Sequence, residues 1–593
     1  MGDPQREASG ARRQTLAATR PGVESTVAAI WRQVLGLEAV GLQDHFFGLG
    51  GDSLAAVQML AQVEAVLAPI DFIEFIEAPT ISALAAAVQR TLGRPAEVDP
   101  SHDHPSHDHP RPAERPAVRR RGAIAGQDDA SSAEAAPCSY AQESLWFLEL
   151  GPAAGVYNEP IAVRLQGPVD AGALEAGLQT IVARHGALRT TLQARDGRPV
   201  QMIASSLDLA LERIDLRAHR DPFAEGRQLA ESLGRMPFDL ERGPLIRAQL
   251  LQLDDAEHLL VLVLHHVVCD GWSHDLMLQE LGELYRARRD SRPPSLPALS
   301  LQYSDFAAWQ RDRLQGEELV AERDFWRAQL AGAPTVVRLP VDRRHQPPQT
   351  FQGATHRIRL GLDLAQAVRD VCRAERVTPY TLLLAAWSTL LYRRSGQDDL
   401  LLSGPMANRE ARFRHVIGFF ANTVVVRVRL GGNPSFQTLL RAVSESVFAS
   451  YEHQHVPLDV VVDAVRPERV PGVNPLVQVN FRVRTGELPK PDLGDVATRR
   501  IPVDLGVARF DLALELHVLD DGIEAEFNWS TALFHPSTIQ RLAANFEQLL
   551  RQGLAAPSTR LLSFTLAPEP AASAGQAQIG GIRRFRDAGR SSA

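Results

Sequence analysis

The chain has 593 residues, a formal net charge of -8, and ordinary shares of apolar and charged residues, 45% and 23%. This length predicts about three domains, each able to bury a core. The negative charge gives no electrostatic reason to expect nucleic-acid binding. Three cysteines are too few for a disulfide framework and suit a reducing cytosol. Because the sequence shows neither a signal-peptide core nor a long apolar span, we expect a cytoplasmic protein without membrane contact.

The N-terminal region has the pattern of a small helical domain. Residues 1–20 are polar and small, and we predict a disordered lead-in there. Apolar residues then recur at helical spacing from Val23 to Leu35, and Thr80 is placed to cap a later helix. With one or two further helices expected between these two, residues 21–92 are predicted to form an all-α, four-helix bundle.

Within this region the segment DHFFGLGGDSL, residues 44–54, places Ser53 where a glycine loop meets a helix start. A phosphodiester on that hydroxyl would face unpaired helix N–H groups, which favour anions. The simpler interpretation is a helix N-cap, the commonest use of such a serine. The segment resembles the phosphopantetheine-attachment motif DxFFxxGGxSL of peptidyl carrier domains. This resemblance implies a covalent 4'-phosphopantetheine on Ser53, added by a phosphopantetheinyl transferase.

Residues 93–136 are rich in Pro, Ala, Arg and Asp and lack periodicity, which predicts a linker. The sequence SHDHP occurs twice in it, at 101–105 and 106–110. These histidines and aspartates could bind a metal ion adventitiously. We favour a short duplication in an extended tether and predict no metal site.

The apolar run Leu259 to Leu264 has the length and composition of a buried strand, and it leads into HHVVCDGWS, residues 265–273. Because side chains alternate along a strand, His265 and His266 should face opposite sides, one in packing and one in a cavity. An isolated histidine in an apolar run is usually a core residue. A zinc site is not favoured, since neighbouring histidines on opposite faces cannot easily chelate one ion.

From Pro137 to about residue 567, seven motifs in order resemble those of condensation domains of the nonribosomal peptide synthetases. They are SYAQESLW (139–146), RHGALRT (184–190), HHVVCDG (265–271), YSDFAAWQ (303–310), IGFFANT (417–423), HQHVPLD (453–459) and NPL (474–476). Two positions depart from the family pattern, Ser144 in place of Arg and Gly186 in place of Glu. The two changes are either a compensated pair or the mark of a specialised subtype.

The resemblance implies an α+β multidomain protein in which the carrier bundle precedes a V-shaped pair of α/β lobes, each similar to chloramphenicol acetyltransferase. We place the N-lobe at 137–315 and the C-lobe at 316–567. A tunnel between the lobes would admit donor and acceptor from opposite faces. The Ala-, Gly-, Ser- and Arg-rich segment 568–593 is predicted to be a disordered or docking tail.

The resemblance also implies the catalytic centre. His266 would act on the amine, since an imidazole with an ordinary pKa of about 6.5 accepts a proton near neutrality. Asp270 would fold back onto an arginine to hold the loop, and Arg409 is the candidate partner. The Gly271 N–H would position the substrate or meet the oxyanion. His265 belongs to the same catalytic motif.

No second large α/β region with its own nucleotide-binding loop is visible, so we expect an adenylation domain acting in trans to load Ser53. The other expected partners are upstream and downstream synthetase modules or carrier proteins and an amine acceptor. The predicted activity is that of a peptide bond-forming acyltransferase of secondary metabolite or antibiotic biosynthesis. Ester formation, epimerisation and a non-catalytic recruitment domain of the same fold are the alternatives.

Overall fold

The structure is a computed structural model. It describes residues 22–35, 39–44, 46, 59–60, 62–63, 66–68, 70, 75, 79–92, 133–151, 153–347 and 349–567. Ser53, the SHDHP repeat, and the predicted lead-in and tail lie outside the described residues, as does most of the predicted linker.

The described part of the chain contains both strands and helices. The strands are β1 (Glu134–Pro137), β2 (Asn158–Gln166), β3 (Thr190–Arg195), β4 (Arg198–Ile203), β5 (Leu211–Asp215), β6 (Ile246–Asp254), β7 (Glu257–His265), β8 (Gly353–Leu360), β9 (Asp399–Met406), β10 (Asn422–Arg429), β11 (Val479–Thr485), β12 (Ala497–Ile501), β13 (Leu512–Leu519) and β14 (Gly522–Ser530). The helices are α1 (Val23–Leu35), α2 (Ile81–Leu92), α3 (Tyr140–Glu149), α4 (Ala171–Arg184), α5 (Pro222–Arg235), α6 (Gly271–Arg289), α7 (Tyr303–Arg313), α8 (Gly316–Gln329), α9 (Leu362–Glu375), α10 (Pro379–Ser395), α11 (Phe436–Glu452), α12 (Leu458–Val465) and α13 (Pro536–Ala555).

The described N-terminal region is helical, as the sequence predicts. The indole of Trp31 on α1 is fully buried, and its ring lies edge-on to Phe46 at 4.9 Å and to Phe75 at 6.2 Å. The hydroxyl of Thr80 accepts a hydrogen bond from the Ala83 N–H at 3.2 Å, so the predicted cap of α2 is confirmed. These contacts form a separate apolar core around α1 and α2.

The site lies on a five-stranded sheet in the order β12-β2-β7-β6-β5. Strand β7 is central, and its residues from Leu259 to Leu264 are all fully buried. Leu260, Leu262 and Leu264 pack into the core beneath α4 and α6, whereas the alternate residues pack into the core on the opposite face. A continuous apolar run forms this strand because helices cover both faces of the sheet.

The other large sheet has six strands in the order β10-β9-β11-β13-β14-β8. Its parallel pairs are β9 with β11 and β11 with β13, and the remaining pairs are antiparallel. Helices α9, α10, α11 and α13 contribute to the core on this sheet. The fold is therefore a multidomain α+β arrangement with mixed sheets, as predicted.

Two strands depart from the expected division of the chain. Strand β1 begins at Glu134, inside the predicted linker, and pairs with β4 in a three-stranded sheet. Strand β12 lies within the range predicted for the C-lobe, yet it pairs with β2 at the edge of the five-stranded sheet. The sequence ATRRI of β12 has no alternating apolar pattern, because an edge strand buries little of its surface.

In the part of the chain that the structure describes, none of the helices combines the length and the apolar content needed to cross a bilayer.

Candidate active site

His265 ends strand β7 and is fully buried. Its Nε2 lies 3.2 Å from a carboxylate oxygen of Glu149 at the end of α3, and its Nδ1 accepts a hydrogen bond from the Val267 N–H at 3.2 Å. Both ring nitrogens are therefore engaged within the protein. His265 therefore links the end of β7 to α3 through Glu149 and stabilises the turn that follows through the Val267 N–H.

His266 contacts a different set of residues, and its side chain keeps 18% of its surface exposed. Its Nδ1 lies 2.6 Å from the carbonyl oxygen of Cys269. A carbonyl only accepts hydrogen bonds, so this geometry assigns the ring proton to Nδ1 and leaves the Nε2 lone pair free. The ring packs against Phe419 at 4.3 Å between centroids. Burial lowers the pKa of His266, which keeps the ring neutral near pH 7.

The Asp270 carboxylate caps α6 and joins it to another part of the chain. It accepts hydrogen bonds from the Ser273 N–H at 2.8 Å and from the N–H groups of Phe420 and Ala421 at 3.0 and 3.2 Å. The guanidinium of Arg409 donates to both carboxylate oxygens, at 3.1 and 3.2 Å. The contact predicted between Asp270 and Arg409 is therefore present. Burial alone would raise the pKa of Asp270, but Arg409 and the Ser273 and Phe420 bonds lower it.

Arg409 fixes the loop that covers the start of α6. Its Nη1 donates to the carbonyl oxygens of Phe413, at 3.0 Å, and Val416. The guanidinium also stacks 3.9 Å from the ring centre of Phe420. A buried ion pair is tolerated only when such further contacts offset the loss of hydration. The pair therefore orders residues 413–421, which include the ring that packs on His266.

Two of the predicted motifs meet at Gly418 and Tyr303. The Tyr303 hydroxyl donates to the carbonyl of Phe419 at 2.7 Å and lies 2.8 Å from the Ser139 hydroxyl. A Cβ built on Gly418 would overlap the Tyr303 ring, at 2.6 Å from Cγ and 2.9 Å from Cε2. Glycine is thus required for the loop to pass over this ring.

We expect Gly418→Ala to lower stability, because the added methyl group must displace either the loop or the buried ring. Overpacking of this kind costs about 1–3 kcal/mol. Thermal unfolding of the variant measures the change. Gly172→Ala is the matched control, since the nearest atom to its new Cβ is at an ordinary 3.4 Å. Equal unfolding midpoints for the two variants would contradict this explanation of Gly418.

Gly271 is the first residue of α6. A Cβ there would lie 2.7 Å from a terminal nitrogen of Arg484 and 3.0 Å from one of Arg482. The missing side chain therefore lets two guanidinium groups approach the helix start, where backbone N–H groups have no intrahelical partner. Burial, and next the neighbouring Arg482, lowers the pKa of Arg484 to about 10.

The two departures from the expected motifs have different neighbours. The Ser144 hydroxyl lies within hydrogen-bond distance of the Asp459 carboxylate and, at 3.0 Å, of the Tyr140 carbonyl. The Gly186 N–H instead donates to the Gln302 side chain at 2.8 Å. The substitutions do not compensate each other directly, so that alternative is not supported. A specialised subtype stays a prediction.

Sequence reasoning missed one pair of charged residues at the site. The Glu159 carboxylate lies 3.9 Å from Nε2 of His266, and Arg509 holds it at 2.7 Å. One feature of the sequence could have indicated Glu159: it is an acidic residue in the mostly apolar stretch NEPIAV of β2. It directly follows Asn158, which pairs with His265 of β7.

Ser53 cannot be placed in the site, since it lies outside the described residues. Within the described ranges, no group of three histidine, cysteine or acidic side chains is arranged to hold a metal ion.

Comparisons with known families match two regions of this chain. The condensation domain family matches residues 132–573, and the phosphopantetheine attachment site family matches residues 25–103. Three curated relatives are similar over more than nine tenths of this chain. They are malpibaldin synthetase of Mortierella alpina (36% identical, covering 92% of this chain and 10% of the relative), phosphinothricin tripeptide synthetase PhsB of Streptomyces viridochromogenes (33%, 91% and 44%) and tyrocidine synthase 3 of Brevibacillus parabrevis (32%, 95% and 8%). The chain thus spans less than half the length of each.

Solved structures share the fold of about three quarters of this chain. The X-domain from teicoplanin biosynthesis, in its complex with OxyB, is 26% identical with a TM-score of 0.67, covering 77% of this chain and all of that one. The first condensation domain of the calcium-dependent antibiotic synthetase, in complex with a substrate analogue, is 21% identical with a TM-score of 0.64, covering 74% of this chain and all of that one.

Proposed function

This chain belongs to the condensation domain family, with a phosphopantetheine attachment domain ahead of it, and on that premise we propose that it forms an amide bond between a carrier-bound acyl donor and an incoming amine. The observation that carries this proposal is the free Nε2 of His266. A neutral imidazole with one nitrogen fixed to the Cys269 carbonyl and the other open is suited to accept a proton from an amine.

The chemistry needs few groups from the protein. The amine nitrogen attacks the thioester carbonyl, so a C–N bond forms and the C–S bond breaks. The proton released from the amine passes to Nε2 of His266 and then to the departing thiolate, which leaves as a thiol. Holding both reactants at one point supplies much of the acceleration, because it removes the entropy cost of bringing them together.

The other predicted residues act through this centre. Gly271 would present its N–H, one of the unpaired donors at the start of α6, to the oxygen on which negative charge develops. Asp270 with Arg409 positions the loop whose Phe419 packs against His266. His265 positions the turn through Glu149 and the Val267 N–H. His266 and Gly271 are thus proposed as catalytic residues, and the others as positioning residues.

The attachment family indicates a covalent 4'-phosphopantetheine, which supplies the thioester when it is bound. We assign it to Ser53, the serine of the DHFFGLGGDSL segment. The domain order places this carrier ahead of the condensation region, which suits a donor, and the intervening linker keeps the donor at a high effective concentration. The lobe boundaries at 137–315 and 316–567 belong to this proposal, with β12 as a strand that crosses between them.

The proposed partners follow from the same arrangement. A phosphopantetheinyl transferase would modify Ser53, an adenylation domain acting in trans would load it, and another synthetase module or carrier protein would deliver the amine. Similarity to synthetases such as tyrocidine synthase 3 and malpibaldin synthetase supports this assignment. We place the reaction in the cytoplasm.

One specific observation favours a second function. The X-domain that shares this fold was solved in complex with another protein, OxyB, so recruitment of a partner is the alternative. The open Nε2 of His266 and the intact Asp270–Arg409 pair favour catalysis, because recruitment requires neither.

Reconstitution tests the proposal. Coenzyme A and a phosphopantetheinyl transferase should add one arm to the parent chain and none to Ser53→Ala. With an aminoacyl donor on the arm, a free primary amine should yield an amide that mass spectrometry detects. If only a free alcohol gave a product, the result would point to ester formation. Deuterium uptake at the α-carbon of the donor would point to epimerisation. The absence of product with any acceptor would favour recruitment.

A further inference from the structure

A carboxylate faces the open side of the His266 ring. Oε1 of Glu159 lies 3.9 Å from Nε2, and the two side chains keep 24% and 18% of their surfaces exposed. This distance is too long for a direct hydrogen bond, so each atom is free to accept one from a third group. Nδ1 is already engaged by the Cys269 carbonyl. The Glu159 oxygen and Nε2 of His266 are therefore close enough for one donor group to contact both acceptors.

Arg509 holds this carboxylate in place from a loop that precedes β13. Its Nη2 lies 2.7 Å from Oε1 of Glu159, and its Nε donates to the Val156 carbonyl at 3.2 Å. Its guanidinium also lies 4.9 Å from the ring centre of Tyr157. Burial alone would raise the pKa of Glu159, but Arg509, and then His266, lowers it well below its ordinary value. The carboxylate is therefore ionised near neutral pH.

We propose that the Glu159 carboxylate, held by Arg509, binds the acceptor amine in its ammonium form and positions it against Nε2 of His266. A carboxylate has about four acceptor sites, so the bond to Arg509 leaves sites open for the ammonium. The ammonium would give one proton to Nε2 of His266, which releases it to solvent. The neutral amine, still hydrogen-bonded to Glu159, would then attack the thioester, and its second proton would pass through Nε2 to the departing thiolate. This inference rests on the proposed function and narrows the acceptor to a basic primary amine.

The charged and titratable groups around His266 give the proposal a directional test. Burial lowers the pKa of His266, Glu159 and Asp270 raise it, and Arg509 lowers it. His265 and, on α6, His274 are imidazoles nearby. Removing the charge of Glu159 should therefore lower the pKa of His266, and removing that of Arg509 should raise it. Because the neutral ring is the active form, the acid limb of the rate profile should move to lower pH in Glu159→Gln and to higher pH in Arg509→Gln.

The experiment uses the full chain with a donor on Ser53 and measures amide formation with two free acceptors. One is a basic primary amine, protonated at the assay pH, and the other is a hydroxylamine-class nucleophile that is uncharged there. We expect Glu159→Gln to lower kcat/KM for the basic amine about 10- to 100-fold, chiefly through KM, as loss of a charged hydrogen bond does. For the uncharged nucleophile, kcat/KM should fall only a few-fold.

Glu257→Gln is the matched control. Glu257 pairs with Arg164 across the same two strands, β7 and β2, at the end away from His266. The Glu257→Gln variant should keep the parent kcat/KM for both acceptors and the parent pH profile. If Glu159→Gln unfolds, the double variant Glu159→Gln with Arg509→Gln removes both charges, so neither is left without a partner. It should show the same loss of preference for the basic amine.

Two results separate this inference from the proposed function. The role of Glu159 would be overturned if Glu159→Gln kept the parent KM and an unshifted pH profile. The proposed function would still stand if His266→Ala were slowed by about 10²-fold or more. Activity of His266→Ala at the parent rate would overturn the proposed function itself.

Discussion

The His266→Ala variant is expected to form amide about 10²–10⁴-fold more slowly than the parent, the usual contribution of a proton-accepting or positioning group. Its fold and the loading of Ser53 should be unchanged, because the His266 side chain is partly exposed and only its Nδ1 is tied to the protein, at the Cys269 carbonyl. Single-turnover rates with a donor on Ser53 and a free primary amine measure the effect. The background reaction of amine with thioester sets the lower limit.

His265→Ala is the comparison that this prediction needs. His265 is fully buried and bonded at both ring nitrogens, so its loss leaves the Glu149 carboxylate without its partner. We expect its unfolding midpoint to fall first, and its rate to fall as a consequence. A stable His265→Ala with the larger rate defect would reverse the roles that we assign to the two rings.

The Asp270→Ala variant is expected to have the largest effect on stability. It removes the partner of the buried Arg409 and the acceptor for the N–H groups of Ser273, Phe420 and Ala421. Breaking one half of a buried ion pair costs about 3–5 kcal/mol. Activity should disappear with it, because the loop that places Phe419 on His266 is no longer held. Chemical denaturation of the variant measures the free energy of unfolding.

Asp215→Ala is the control for this variant, since the Asp215 pair with Arg217 is exposed to solvent and should contribute little. The dependence of the unfolding free energy on pH provides a second check of the ion pair between Asp270 and Arg409. The folded-state pKa of Asp270 is lowered, so its stabilisation is present above the ordinary carboxyl pKa of about 3.9 and is lost as the pH falls below it. The stability gap between the parent and Asp270→Asn should therefore be widest near neutrality and shrink below about pH 4. A gap that is constant with pH would contradict the ion-pair explanation.

Local patterns predicted the centre of the site. Strand β7 follows from an apolar run that leads into two histidines. The helix that begins at Gly271, with Asp270 as its N-cap, was not predicted. The contact between Asp270 and Arg409 spans a long stretch of chain, and the motif resemblance supplied it. Local spacing alone does not specify which arginine reaches a given carboxylate.

Contacts between distant segments were the part that sequence reasoning missed. The hydrogen bond from Arg509 to Val156 joins residues 353 apart, and nothing in either local pattern indicates it. The pairing of β12 with β2 was missed for the same reason, since an exposed edge strand with two arginines has no alternating apolar signal. Pairing of this kind depends on tertiary packing, which single-sequence periodicity does not encode.

The central claim is amide formation at His266 from a donor on Ser53, and the mass of the loaded chain tests it most directly. The parent and His266→Ala are each loaded with the same aminoacyl thioester, exposed to a basic primary amine, and followed over time by intact-protein mass spectrometry with the released product measured in parallel. We predict that the parent loses the acyl mass as the amide appears. The His266→Ala variant should lose its acyl group only at close to the background rate of the reaction between amine and thioester. Equal rates of discharge and of amide formation in the two proteins would contradict the claim.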